Sequence, residues 1–360
     1  MRAARSARLG VLVLALGLVL AACGGGGDSG DGTGTSAGGG GATTQPKKIG
    51  LIYDVGGLGD LSFNDSAHKG LEEAKAELGD KIQTTEQSPN NDGSNRFELV
   101  DGLISDGYGL IIGVGFAFSE DVAKAAAENP ETSFAVVDGF GCEPTNMRCL
   151  GFKEQEGSFL VGAAAALKTK KDKVGFAGGQ QGDLIRKFQA GYEAGVQYIA
   201  KEEGKDIKVL VDYAGDTVQA FQNPQKGAEI ANKQIGEGAD VIYHAAGLTG
   251  NGVINTAAAK KTFAIGVDSD QSLTASDEAK KWILTSMMKR VDNSVKKVIT
   301  DYVNGTFSGG FESLGLKEGG VDYAKNEFNT ELLGDIPAKL DELKQKIIAG
   351  EIQVPDKPAS

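Results

Sequence analysis

Lys48-Ile-Gly-Leu-Ile-Tyr-Asp54-Val-Gly-Gly57-Leu-Gly-Asp60-Leu-Ser-Phe63-Asn64 is the stretch whose reading decides the fold. Residues 49–53 form an apolar run of strand length, and Gly56-Gly57 lets the backbone turn sharply at its end. Asn64 is placed to cap the helix that follows, which carries Ala67, Leu71, Ala74 and Leu78 at spacings of three and four and stops at Gly79. A buried strand that turns through glycines into an amphipathic helix opens a parallel α/β layer. Asp54 and Phe63 then lie at the carboxyl end of a strand, where open α/β sheets take ligands. A carboxylate there accepts hydrogen bonds from hydroxyls, and a phenyl ring offers a flat face; neither is a catalyst by itself.

Outward from this unit, strand-like runs recur at 82–88, 110–115, 133–138, 174–179, 207–214, 241–246 and 263–268. Helical stretches separate them at 95–105, 120–128, 154–168, 184–200, 224–237 and 252–260. This alternation predicts an α/β protein of two doubly wound parallel sheets whose strand ends face a shared cleft. The first lobe is expected over 47–153 and the second over 154–268. Residues 269–360 are expected to return to the first lobe through a hinge and then to supply C-terminal elements of the second, ending in a helix over 337–349.

The amino terminus is not part of this body. Arg2, Arg5 and Arg8 precede an apolar run from Val11 to Leu20 and then Leu20-Ala-Ala-Cys23, the shape of a secretory leader. A transmembrane anchor needs about 20 apolar residues, and this run is shorter. A cysteine at the cut resembles a bacterial lipobox, so residues 1–22 read as a lipoprotein signal peptide and Cys23 as the lipidated first residue of the mature chain. Residues 23–46, rich in Gly, Ser and Thr, read as a flexible tether. The expected location is the extracytoplasmic face of the cell membrane.

The formal charge of −12 becomes −15 once Arg2, Arg5 and Arg8 leave with the leader, which argues against nucleic acid as a partner. Cys142 and Cys149 stand with six residues between them in a compartment that favours disulfides, so a structural bridge is expected there rather than a metal site. No metal and no cofactor are expected anywhere in the chain.

Asp54, Asp138 and Asp268 each close an apolar strand. One such Asp reads equally well as a turn residue, but three point to a shared polar ligand. Gly247-Leu-Thr249-Gly250-Asn-Gly252 precedes a helix and can offer backbone N–H groups to a ligand oxygen, making Gly247 and Thr249 candidates. It fits neither a dinucleotide nor a P-loop fingerprint. Lys289 ends the run Ile-Leu-Thr-Ser-Met-Met, where a ligand-binding cation and a solvated lysine at a helix start are equally good readings. Phe116, Phe118 and Phe176 read as core, whereas Phe63 and Phe221 stand beside turns and helix starts, one in each lobe, and can sandwich a planar group. The motifs of serine, zinc and cysteine hydrolases are missing, and an enzyme is not expected.

With these motifs come Gly151-Phe-Lys-Glu-Gln-Glu-Gly157, Gly175-Phe-Ala-Gly-Gly179, Tyr243-His-Ala-Ala-Gly247, Gly266-Val-Asp268-Ser-Asp-Gln271 and Thr285-Ser-Met-Met-Lys289-Arg-Val-Asp292. Together, in this order, they resemble the basic membrane protein family of substrate-binding lipoproteins, whose best-understood members are purine nucleoside receptors. The resemblance implies a type I periplasmic-binding-protein-like fold with a three-strand hinge and a nucleoside ligand, a purine nucleoside by the family's pattern, delivered to an ABC-type permease. It implies that Phe63 stacks on the base, that Asp268 and Lys289 bind the ribose hydroxyls, that Asp138 contacts the base, and that Asp54 and Asn64 complete the polar shell. Position suggests Phe221 as the opposing ring, and a monomer is expected. The rival readings are a receptor for a sugar or signalling molecule and, further off, a nucleoside-processing enzyme.

Overall fold

The computed structural model describes residues 45–359, which belong to one compact unit. The leader, Cys23 and the tether up to residue 44 lie outside the described residues. The chain opens with β1 (Lys47–Ile52), α1 (Phe63–Leu78), β2 (Ile82–Gln87), α2 (Arg96–Ser105), β3 (Leu110–Val114), α3 (Ser119–Glu128), β4 (Ser133–Val137) and β5 (Met147–Phe152). It crosses over with α4 (Glu154–Lys168) and continues as β6 (Lys173–Gln180), α5 (Asp183–Glu203), β7 (Lys208–Gly215), α6 (Pro224–Gly236), β8 (Val241–Ala245), α7 (Thr249–Ala259) and β9 (Phe263–Asp268). Two single-turn helices, α8 (Gln271–Thr274) and α9 (Asp277–Lys280), lead to β10 (Ile283–Lys289). Then come α10 (Val291–Val303), β11 (Gly310–Leu314), β12 (Val321–Tyr323), α11 (Thr330–Leu333) and α12 (Ile336–Ile348).

Two six-stranded sheets result, ordered β11-β5-β4-β3-β1-β2 and β12-β10-β9-β8-β6-β7. Every pairing in the first is parallel; in the second only the edge pair of β10 with β12 is antiparallel. Such strands are buried on both faces because helices cover each side. In β1, Ile49 and Leu51 pack with Ala67, Leu71 and Ala74 of α1, while Ile52 turns to Val100 and Leu103 of α2. The chain passes between the sheets three times: where β5 meets α4, where β10 meets α10, and between β11 and β12.

The structure departs from the sequence reading in several places. Residues 269–289 stay with the second sheet, as α8, α9 and β10, so the return to the first lobe begins only with α10. Strands β5, β10, β11 and β12 are additional to those read from the apolar runs. Asn64 does not cap α1. The helix already begins at Phe63, and the Asp60 carboxylate accepts the amides of Ser62, Asn64 and Asp65 at 2.9, 2.8 and 3.2 Å. Cys142 and Cys149 are bonded, with Cα atoms 6.0 Å apart, and tether the loop after β4 to β5.

Candidate ligand-binding site

The strand ends of the two lobes line one shared cavity, with about 560 Å³ of space not filled by atoms, open solvent included. The first lobe contributes Asp54, just past β1, and Phe63 and Asn64 in the first turn of α1. The Asn64 Oδ1 accepts the Asp54 amide at 2.9 Å, which ties the loop to the helix and orients both groups. Gly115 and Phe116 come from the end of β3 and Asp138 from the end of β4. The second lobe adds Asp268 and Lys289 from the ends of β9 and β10, Phe221 from a helical turn over Val218–Phe221, and Gly247 and Leu248 after β8. Leu184, Ile185 and Phe188 of α5 form an apolar wall. Asp138 and Asp268 both have positive φ, 59° and 65°, a conformation Asp tolerates better than most residues and one that re-aims the chain as each strand ends.

Lys289 organises the charges. Its ammonium, 2 % exposed, lies 2.6 Å from Asp138 Oδ1 and 3.2 Å from Glu154 Oε1, with the rings of Phe63, Phe152 and Phe188 centred 5.0 to 5.5 Å away. Burial alone would lower its pKa, but Asp138, Glu154 and Asp268 together hold it above the ordinary lysine value. One cation cannot satisfy three buried carboxylates equally. Burial, with repulsion from Glu154 and Asp268, pushes Asp138 up to about 7 against the pull of Lys289. Asp268 is likewise raised by burial, although it is near Lys289 and accepts the Ser62 hydroxyl at 2.7 Å. Asp54 is also raised by burial, offset by the Val55 amide and by Arg96.

Of the residues singled out from sequence, Asp54, Phe63, Asn64, Asp138, Phe221, Gly247, Asp268 and Lys289 line this one space. Thr249 does not. Its hydroxyl donates to the Ala220 carbonyl at 2.7 Å and accepts the Asn223 amide at 2.7 Å, fixing the turn that carries Phe221. Gly179 has a related supporting part, since a Cβ there would fall 2.3 Å from the Phe221 ring. Phe118 and Phe176 are core, as read, but Phe116 lines the cavity. Sequence reasoning missed Glu154, Asp60, Ser62, Phe188 and Arg96. Glu154 carried a faint signal as the first residue of a helix following Phe152-Lys153 at a crossing.

Among the described residues, His68, Glu72 and Glu86 place metal-type donor atoms within 4.8 Å of one another. These residues do not line the cavity, and their groups are occupied: His68 Nδ1 is 2.7 Å from Glu86, Tyr53 hydrogen-bonds Glu86, and Lys75 is 2.6 Å from Glu72. His244 is buried against Gln271 at 2.8 Å, also outside the cavity.

Residues 47–358 match the family described as ABC transporter substrate-binding protein PnrA-like. Basic membrane protein A2 of Borrelia garinii is 38% identical over 304 residues, covering 82% of this chain and 85% of that one. A Lactococcus lactis protein named ABC transporter nucleoside-binding protein BmpA is 35% identical over 325 residues, covering 86% and 89%. An ABC transporter solute-binding protein from Aeropyrum pernix superposes with a TM-score of 0.76 at 33% identity, covering 86% of this chain and 94% of that one. The family consists of binding proteins rather than enzymes. The chain therefore belongs to the PnrA-like family of ABC transporter substrate-binding proteins.

Proposed function

We propose that this protein captures a nucleoside, preferring purines, in the cavity between its lobes. Held to the outer face of the membrane by a lipid on Cys23, it passes that nucleoside to an ABC-type importer. The observation that carries this reading is the make-up of the cavity, where aromatic rings from both lobes, Phe63 and Phe221, accompany Asp54, Asn64, Asp138, Asp268 and Lys289. The rings suit a planar base, and the carboxylates accept hydrogen bonds from ring N–H groups and ribose hydroxyls. The excess of acid disfavours a phosphorylated ligand. A site built to pair every hydroxyl rejects analogues that lack one, because its own buried groups are then left unpaired. The name of the Lactococcus relative points the same way.

The test is a thermal-shift and calorimetry panel of nucleosides, free bases and pentoses on residues 45–359. A ligand at 100 times its Kd adds about 2.7 kcal/mol of stability. Adenosine, guanosine or inosine should raise the melting temperature and be recovered intact, and Phe63→Ala should abolish the effect. A response to pentoses alone would overturn the nucleoside assignment.

A further inference from the structure

Beside Asp54 lies a buried arginine that does not itself line the cavity. Arg96, the first residue of α2, is 8 % exposed. Its Nη2 faces Asp54 Oδ1 at 3.5 Å, its Nη1 donates to the Gly93 carbonyl at 3.1 Å, and its guanidinium lies over the Phe118 ring with its carbon 5.4 Å from the centroid. Its Nε is buried without a partner. A guanidinium placed so is poorly rewarded in stability, since an apolar side chain of similar size would fill the space without the cost of desolvating a charge.

The surroundings are shaped to admit the pair. A Cβ on Gly93, whose φ is +69°, would fall 2.2 Å from the guanidinium; one on Gly115, at φ +106°, would fall 2.4 Å from Asp54 Oδ2. Backbone at both ends of the pair therefore approaches closer than any other residue allows. We propose that Arg96 is a positioning residue for ligand binding, which holds the Asp54 side chain at the cavity wall and favours its charged, hydrogen-bond-accepting form. The inference rests on the nucleoside reading only in saying what Asp54 accepts from.

The charges around Asp54 are few. From α2 comes Arg96; from α1 comes the neutral Asn64, whose oxygen is taken by the Asp54 amide; from the end of β3 comes Gly115. Asp60, Asp138 and Lys289 line the same cavity at other points. Arg96 itself also feels Asp92 and Asp121.

Two measurements on the full chain, with Arg96→Met and Arg96→Lys, test the assignment. The first follows the carboxyl carbon of Asp54 by NMR in ligand-free protein, assigned by its loss in Asp54→Asn. Losing a neighbouring opposite charge moves a carboxyl pKa by about 1–3 units, so Arg96→Met should raise the Asp54 midpoint by at least about one unit, with Arg96→Lys between it and wild type. The second is the ratio of variant to wild-type Kd for a bound nucleoside across the pH range in which the first measurement finds Asp54 of Arg96→Met to titrate. This ratio cancels the titration of Asp138 and should shrink roughly tenfold or more with rising pH as Asp54 regains its charge. An unmoved Asp54 midpoint overturns the proposal, as does a ratio that stays constant with pH, which is the mark of lost packing alone. If no nucleoside binds the wild type, the functional reading fails, and the carboxyl titration still decides the part of Arg96.

Discussion

At the end of β10 a single ammonium answers to Asp138, Glu154 and Asp268, all drawn out of water. Breaking a buried pair by deleting one partner costs about 3–5 kcal/mol because the survivor is left uncompensated. Lys289→Met should lower the urea-unfolding free energy by that order. Lys289→Met/Asp138→Asn should lie closer to wild type, since one fewer carboxylate is stranded; a double variant no more stable than the single would show that the charges are not what the site depends on. The raised pKa of Asp138 sets a second expectation. Its native value of about 7 lies above the ~3.9 of an unfolded chain, so the native state holds the proton more tightly. Its contribution to stability is therefore fully present below about pH 4 and is lost as pH rises toward 7, and Asp138→Asn should flatten that part of a pH–stability curve. None of this was legible at Lys289. Its partner Asp138 is 151 residues away, so an ammonium after an apolar run looked the same whether solvated or buried. Arg96 was hidden for the same reason, as a charged residue in the first turn of a helix.

The elements show which local signals survive packing. Strands with continuous apolar runs, such as β3 and β4, were legible because burial on both faces writes itself into composition, and helices such as α5 because Ile185, Phe188, Tyr192, Val196 and Ile199 form a clear stripe. Strand β5 has Arg148 as its second residue and was missed; that arginine is buried through Asp301 and the Ser308 carbonyl, which the chain supplies 153 and 160 residues later. The glycines of 247–252 were read as a loop aimed at a ligand, yet α7 begins at Thr249 and a Cβ on Gly252 would fall 1.8 Å from the Pro224 carbonyl. The sequence marks a glycine there but not what approaches it. At the start of α1, Asp60 takes the place assigned to Asn64. Loss of an N-cap costs about 0.5–2 kcal/mol, and Asp60 accepts three amides while lining the cavity, so Asp60→Ala should fall at the upper end of that range. It should also weaken nucleoside binding by loosening Phe63 and Asn64, whereas a helix-start variant away from the cavity lining such as Ser276→Ala, which also cuts a cap bond, should lower stability and leave affinity intact. Equal effects of the two on affinity would remove the link between this cap and the site.

At the scale of the whole molecule, the lobes meet through bonds that use the same groups as the cavity. The Ser62 hydroxyl, from the loop after β1, donates to Asp268 Oδ2 at 2.7 Å and lies 3.2 Å from the Val267 carbonyl, while the Ser269 hydroxyl donates back to the Ser62 carbonyl at 3.0 Å. Lys289 and Asp138 join the lobes a second time, and Gln222 bonds the Asn91 carbonyl a third. Covalently, three passages of chain join the lobes among the described residues, an arrangement suited to opening about a hinge. Contacts made only when the lobes are together stabilise the closed form without guiding a ligand in, so their loss belongs in the rate of release rather than of capture. A hydrogen bond to a charged group is worth about 1.5–3 kcal/mol, which is roughly a tenfold or larger shift in the ratio of closed to open molecules. Ser62→Ala should therefore raise the nucleoside off-rate by about tenfold or more with little change in on-rate, and Ser269→Ala, which loses a bond to a neutral carbonyl, should raise it less. Small-angle scattering of the ligand-free Ser62→Ala protein should show a larger radius of gyration than wild type. If off-rate and scattering are both unchanged, Ser62 only fills space at the seam, and closure must be held by Lys289 and Asp138 instead.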